Sequence, residues 1–249
     1  MLREFRVDLH IHTTLSPCGD STMVPPLVVD RAKKKGLDII GICDHNASEN
    51  VEAVKEANRG LDLLILGGME ITSCEEAHVL AIFADDESLN RMQGIVYQNL
   101  TGRNDVRAFG EQTIVDAEGK AVGFNDRLLI GATDLSVREI VENVHDLGGM
   151  AIASHIDKQV FSVTSQLGFI PENILFDALE ISPHVAIDNI DGQTGFAGYG
   201  KLKAPIVSFS DAHYLEDIGK RFTRFIMEEA SFKEIKRAMR DTHERRIRF

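Results

Sequence analysis

The stretch Asp8-Leu9-His10-Ile11-His12-Thr13 decides how the rest of the chain is interpreted. Apolar and polar residues alternate through it, as in a β-strand, so its two histidines project from the same face. Two neighbouring imidazoles at a strand end can bind one metal ion, because neutral imidazole is a common ligand of zinc, iron and manganese. Two ordinary histidines at a strand end would show the same pattern, so later segments must decide between the two interpretations.

The composition is typical of a soluble globular protein, with 249 residues of which 43% are hydrophobic and 27% charged. A net charge of −12 argues against a large basic surface for nucleic acid. Bound divalent cations would nevertheless reverse the local field at a phosphate site. The three cysteines (Cys18, Cys43 and Cys74) show no CxxC spacing, which is typical of free thiols in a reducing compartment. Without a signal peptide or a long apolar run, we expect a cytoplasmic protein with no membrane partner.

Short apolar runs alternate with helical patterns along the chain, which is the order of βαβ units around a parallel sheet. The predicted strands are 5–12, 37–43, 63–66, 78–83, 150–154, 178–182, 205–210 and 223–227. The predicted helices are 25–35, 51–59, 136–147 and 232–242.

Residues 85–132 break this order, and 111–122 has the pattern of a hairpin with Glu118-Gly119 as its turn. We predict one domain, residues 1–249, with an insertion or lid at about 85–132.

The carboxyl ends of the strands form the active face of such folds. Metal-ligand side chains recur at or next to the predicted strand ends, namely at His10, His12, Asp20, Asp44, His45, Glu70, His78, His155, Asp211 and His213. Six of the nine histidines belong to this set, which random placement would not produce. Imidazole mixed with carboxylate is typical of catalytic zinc, iron or manganese rather than of a structural zinc site. We therefore predict a metal site with two or three divalent ions.

These motifs resemble those of the PHP-domain family, named for polymerase and histidinol phosphatase. The resemblance rests on DLHIHT at 8–13, GICDHN at 41–46, GMEIT with His78 in EEAHVLAIF, IASHID at 152–157 and SFSDAH at 208–213. It spans nearly the whole chain and implies an α/β fold, a distorted (β/α)7 TIM-like barrel with its metals at the strand C-termini.

The resemblance also implies three metal positions. The ligands carried over are His10, His12 and Asp211 for the first metal, Glu70 as the bridge to the second, His78 and His155 for the second, and His45 and His213 for the third. In the loop after the first strand the family usually has Ser-Asp-Gly, whereas this chain has Ser16-Pro17-Cys18-Gly19-Asp20. Asp20 is the expected replacement ligand. Asp44 is expected to orient a ligand histidine from behind, although a turn aspartate would look the same.

The predicted activity is that of a metal-dependent hydrolase of phosphate esters, a phosphatase or phosphodiesterase that uses metal-activated hydroxide. Because the surface is acidic, we expect a phosphorylated small molecule or nucleotide as substrate. The alternatives are a nucleic-acid phosphodiesterase or exonuclease, and a non-catalytic metal-binding regulatory module. Lys158, Glu180 and His184 follow predicted strand ends and are candidate substrate contacts. Lys158, His184 and Asp44 are also candidate catalytic groups, with structural roles as the alternative for each.

Overall fold

The computed structural model describes residues 1–186, 190–191, 195–196 and 204–248. In this part of the chain, a nine-stranded sheet curves into a nearly closed barrel with helices around it. The strands in spatial order are β11 (Ile206–Val207), β8 (Ala178–Glu180), β7 (Met150–Ala153), β4 (His78–Phe83), β3 (Leu64–Thr72), β2 (Ile39–Ile42), β1 (Arg3–Ile11), β12 (Thr223–Met227) and β13 (Arg246–Arg248). The predicted TIM-like α/β barrel is thus confirmed.

The barrel closes where the segment after β11 meets the end of β1. Ile11 and Ala212 form a parallel bridge there. The His12 N–H donates to the Ala212 carbonyl at 2.9 Å, and the Ala212 N–H donates to the His10 carbonyl at 3.1 Å. The His-x-His strand end and the 208–213 motif are therefore held side by side by their own backbones.

The helices begin and end where the local sequence requires it. They are α1 (Pro25–Lys34), α2 (Val51–Ala57), α3 (Asp86–Asn99), α4 (Val106–Phe109), α5 (Val137–Asp146), α6 (Val163–Leu167) and α7 (Phe232–Met239). Prolines occupy the first turn of α1, where no N–H is needed, and Gly36 follows its end with φ of +68°. Ser136 and Glu139 form the predicted capping box of α5. The four predicted helices are confirmed, with ends that differ by a few residues.

Two apolar clusters stabilise the layers. The inner one draws residues from eight strands, among them Leu9, Leu80 and Ile152, and so fills the barrel interior. The outer one packs the helices against the sheet through residues such as Val28 and Ile140. Burial on both faces explains why the strands read as continuous apolar runs. In the described residues, no helix is long and apolar enough to cross a membrane.

Two details of the predicted sheet are wrong. The third strand does not end before Gly67-Gly68 but continues to Thr72, so Glu70 lies inside it. These glycines permit close packing rather than a turn, because a Cβ at Gly68 would lie 2.5 Å from the Ala81 carbonyl oxygen. Moreover, β12 runs antiparallel to β1, and β4 runs antiparallel to both β3 and β7, so these parts of the sheet are not built from βαβ units. The first residue of β4, His78, consequently lies at the same barrel end as the carboxyl ends of the parallel strands.

The region 85–132 begins with α3, whose apolar side packs on β3 and β4. The predicted hairpin is confirmed as β5 (Thr113–Val115) and β6 (Ala121–Phe124). Asn50 anchors it to the barrel, accepting from the Val115 N–H at 3.0 Å and donating to the Thr113 carbonyl at 3.1 Å.

Outside this region, β9 (Ile190–Asp191) and β10 (Gly195–Phe196) pair as antiparallel strands. The division into one domain with an insertion stays a prediction.

Candidate metal centre

His10 lies at the end of β1 and is fully buried. Its Nδ1 lies 3.0 Å from both carboxylate oxygens of Glu180, which is also fully buried. An ionised carboxylate only accepts hydrogen bonds, so His10 Nδ1 carries a proton and Nε2 points away from Glu180. Burial alone would lower the pKa of His10, but Glu180, Asp211 and Glu70 together raise it well above its ordinary value. The surroundings of His10 Nε2 therefore favour a positive charge.

His12 is oriented by a second buried chain of hydrogen bonds. Ser16 Oγ donates to Asp44 Oδ1 at 2.7 Å, so it accepts from His12 Nδ1 at 2.9 Å and from the His45 N–H at 3.1 Å. Asp44 also accepts from the Thr13 N–H and hydroxyl, each at 2.7 Å. Burial raises the pKa of Asp44, while these hydrogen bonds lower it in part. The Ser16 hydroxyl thus links Asp44 to His12. Asp44 lies on the buried side of this imidazole, where a group that orients the ligand is expected, and not on the solvent side.

Glu70 lies at the centre of five histidines. Its Oε1 is 3.1 Å from His78 Nδ1, 3.2 Å from His155 Nε2 and 3.4 Å from His10 Nε2. Its Oε2 is 3.2 Å from His45 Nδ1 and 3.6 Å from His12 Nε2. Burial raises the pKa of this carboxyl, but the nearby imidazoles, His78 and His10 first, hold it well below its usual range. With three histidines facing Oε1 and two facing Oε2, Glu70 has the surroundings of a ligand that is shared between cations.

Asp211 and His213 complete the cluster from the segment after β11. Asp211 Oδ1 lies 3.4 Å from both His10 Nε2 and His12 Nε2, while Oδ2 pairs with Lys158 Nζ. His213 Nδ1 donates to the Asp211 carbonyl at 2.9 Å, which leaves Nε2 as its lone-pair nitrogen. The His213 ring stacks on His12 with centroids 4.1 Å apart.

The donor set fits divalent cations. In each of three triads the ligand atoms lie within 4.8 Å of one another, namely His10–His12–Glu70, His45–Glu70–His78 and His12–His45–His213. The Nδ1 atoms of His45, His78 and His155 are buried without a hydrogen-bond partner. A buried polar atom left unpaired costs about 1–3 kcal/mol, and coordination to a metal would remove that cost for His45 and His78, whose Nδ1 atoms face Glu70. Neutral imidazole and carboxylate suit zinc, iron or manganese.

The backbone at the site is strained. His155, Asp211 and Asn46 have φ of +27°, +49° and +50°, a region that residues other than glycine seldom adopt. Asn46 is fixed there, because its side-chain amide donates to the carbonyls of Leu129 and Gly131, both at 2.8 Å. Strain of this kind persists only where surrounding contacts impose it, and it commonly marks functional sites.

Asp44, His155, Asp211 and the remaining predicted site residues lie outside these triads. Asp20 lies beside His213, whose carbonyl accepts from the Asp20 N–H at 2.8 Å, while its own Oδ1 accepts from the Thr22 N–H at 2.9 Å and the Thr22 hydroxyl at 2.6 Å. Glu180 lies behind His10, away from the solvent. His184 is exposed in the segment after β8. Lys158 is one-third exposed at the rim, beside Asp211.

One residue of the site escaped the sequence analysis. Ser16 has the role of connecting Asp44 to His12, yet it appeared only as part of the loop that departs from the family pattern. This role of Ser16 is hard to predict from the sequence, because serine is common in loops that contain proline and glycine.

Comparison with known proteins identifies the family of the chain. The model of the PHP domain family matches residues 8–158, more than half of the chain, and the chain belongs to this family. The 5′-3′ exoribonuclease Rnm of Salmonella typhimurium is 34% identical over 77 residues, which cover 30% of this chain and 25% of that protein.

Solved structures show the same fold. The lesion-specific endonuclease PfuEndoQ of Pyrococcus furiosus has a TM-score of 0.69 and 20% identity, with 98% of this chain and 58% of that chain covered. An Endonuclease Q complex with a 27-mer duplex substrate gives a TM-score of 0.66 and 19% identity over the same shares of the two chains. A Bifidobacterium adolescentis protein assigned as a metal-dependent phosphoesterase has a TM-score of 0.54 and 22% identity, with 84% and 87% covered. The chain thus spans little more than half of the endonuclease and matches a quarter of the exoribonuclease.

Proposed function

We propose that the protein is a metal-dependent phosphoesterase that hydrolyses a phosphorylated small molecule or nucleotide. The observation that carries the proposal is Glu70, a buried carboxylate whose oxygens lie within 3.6 Å of five histidines that belong to all three proposed ion positions. A carboxylate between two cation positions is the arrangement that multinuclear hydrolases use to hold both ions. Membership of the PHP family supports the same activity.

The proposed ligands are those expected from the sequence. The positions are His10, His12 and Asp211 for the first ion, Glu70 as the bridge, His78 and His155 for the second, and His45 and His213 for the third. Asp20, whose N–H donates to the His213 carbonyl, stays the predicted additional ligand of the third ion. Bound cations of this kind activate water and neutralise phosphoryl oxygens.

The residues of the chain itself orient the ligands and position the substrate. Glu180 fixes the imidazole of His10. Ser16, which is itself hydrogen-bonded to Asp44, fixes the imidazole of His12. Burial would lower the pKa of Lys158, but the Asp211 carboxylate raises it, so the ammonium stays charged at neutral pH. Lys158 therefore suits electrostatic contact with a phosphoryl oxygen rather than proton donation. His184 stays a predicted substrate contact and candidate catalytic group.

The test is hydrolysis of phosphomonoesters, nucleotides and short DNA or RNA by protein loaded separately with manganese, zinc and iron. His12→Ala is the control. We expect release of phosphate from monoesters or nucleotides by the wild type and none by His12→Ala. Absence of any turnover in protein shown to hold its ions would contradict the proposal and favour the regulatory alternative.

A nucleic-acid phosphodiesterase is the second candidate. The similarity to PfuEndoQ and to an exoribonuclease favours it. The net charge of −12 opposes it, because affinity for nucleic acid rests on neutralising phosphates. Cleavage of DNA or RNA, with binding that weakens steeply as salt rises, would put this candidate first.

A further inference from the structure

Phe161 lies beside the metal centre with its ring stacked on His78. The ring centroids are 4.9 Å apart and the planes are tilted by 13°. The Phe161 carbonyl accepts from the His78 N–H at 2.9 Å, so its backbone and its ring contact the same proposed ligand. Nevertheless 43% of Phe161 is exposed, whereas His78 is only 7% exposed. One face of the ring is therefore covered by His78 and the other is open to solvent.

The backbone that presents this ring is strained and fixed. Phe161 has φ of +58°, which is rare for a bulky residue. The turn that contains it is closed by Ser162 Oγ, which donates to the Lys158 carbonyl at 2.7 Å, and by the Lys158 N–H, which donates to the His155 carbonyl at 2.9 Å. A half-exposed phenylalanine gains little from such strain unless the position of the ring matters. The loop 155–162 thus holds a proposed ligand, a charged ammonium and an open aromatic face in fixed order.

We propose that Phe161 is a specificity-determining residue whose open face stacks on the base of a nucleotide substrate. The inference rests on the proposed phosphoesterase function and narrows its substrate class from phosphate esters in general to those that carry an aromatic base. Lys158 and the metal centre would take the phosphate, while the ring takes the base. Stacking suits any base, since each has a π face, so this contact selects nucleotides without selecting among them.

The test is binding of two phosphonates that differ only in the base, adenosine 5′-methylenephosphonate and ribose 5-methylenephosphonate. Neither has an ester bond to hydrolyse, and both are titrated calorimetrically into manganese-loaded protein. Stacking of one base on a protein aromatic ring is worth about tenfold in affinity, so we expect the adenosine compound to bind about tenfold more tightly. Phe161→Leu should remove that difference without changing the affinity for the ribose compound, and Phe161→Tyr should retain it.

Phe169→Leu is the matched control, since Phe169 is 63% exposed and lies outside the loop 155–162. It should leave both affinities unchanged. Equal binding of the two phosphonates to the wild type would overturn the inference. So would equal weakening of both by Phe161→Leu together with loss of manganese, because Phe161 would then only support His78. Hydrolysis is measured separately, so an inactive protein that still prefers the adenosine compound would contradict the proposed function and not this contact.

Discussion

His10 Nε2 and His12 Nε2 face each other at 3.2 Å in the interior of the protein. Their Nδ1 atoms are already engaged, one with Glu180 and the other with Ser16. Two imidazole lone pairs at this distance repel each other unless a proton or a metal cation lies between or beside them. With Glu70 and Asp211 both within 3.6 Å of His12 Nε2, the pair is built to receive a cation.

Ser16→Ala should weaken metal binding. The substitution removes the acceptor that holds His12 Nδ1 and one of the donors to Asp44, so the imidazole loses its fixed orientation. Loss of such a supporting hydrogen bond typically lowers metal affinity about 10- to 100-fold. Competition with a chromogenic chelator measures the change. The exposed Ser21, in the same loop, provides the control Ser21→Ala; equal affinity of the two variants would contradict the role of Ser16.

Glu70→Gln and His12→Ala should abolish turnover by removing ions, while the fold stays largely intact. Gln keeps the size of the side chain but not the charge that balances five imidazoles. Metal content by mass spectrometry and phosphate release would fall together, with the circular dichroism spectrum unchanged. Full activity in either variant would remove the site assignment.

Lys158→Gln should lower kcat/KM by about 100-fold, the usual cost of losing a donor to a charged oxygen in the transition state. Lys158→Arg should recover part of that loss, because it keeps the positive charge. The exposed Lys220, which pairs with Asp217, gives the control Lys220→Gln. If Lys158→Gln also lost metal, the lysine would act by holding Asp211 in place instead.

Glu234 predicts a pH dependence of stability far from the metal centre. Burial raises its pKa, but hydrogen bonds from Arg245, the Glu228 N–H and Arg237 outweigh burial and lower the pKa to about 2. A carboxyl whose pKa is lower in the folded state stabilises the fold above its unfolded pKa of about 4.3. That stabilisation is lost as the pH falls from about 5 to 2.

Chemical denaturation at a series of pH values tests this. Glu234→Gln should be less stable than the wild type near neutral pH, and the difference should shrink as the pH falls through this range. The exposed Glu229 gives the control Glu229→Gln, which should follow the wild-type curve. A constant difference at every pH would contradict the ion-pair explanation.

The convergence of strand ends was predictable from the sequence, because ligand-type residues at the ends of buried apolar runs must meet at one barrel end. The direction of β4 was not, since a short apolar run reads the same in a parallel and an antiparallel strand. Gly67-Gly68 resembled a strand end, although the reason for these glycines is close contact with α3 and β4. Asp20 was chosen by its place in the loop, which does not show that Thr22 engages one oxygen of its carboxylate.

The roles of the buried hydrogen-bond acceptors could not be predicted from the sequence either. Glu180 ends a predicted strand just as a substrate contact would, and only the packing shows that it faces the Nδ1 of His10. Phe161 shows no periodicity at all, and its position depends on a left-handed backbone that its sequence does not suggest.

Because β3 and β4 form a hairpin, Glu70 and His78 come together through a local contact that folds on a timescale of microseconds. The first metal position differs, since His10 and Asp211 come from near opposite ends of the described chain and meet only when Ile11 pairs with Ala212. Such distant pairing forms late, after the entropy of closing a long loop has been overcome. The time at which the first ion binds during refolding should therefore show when the barrel closes.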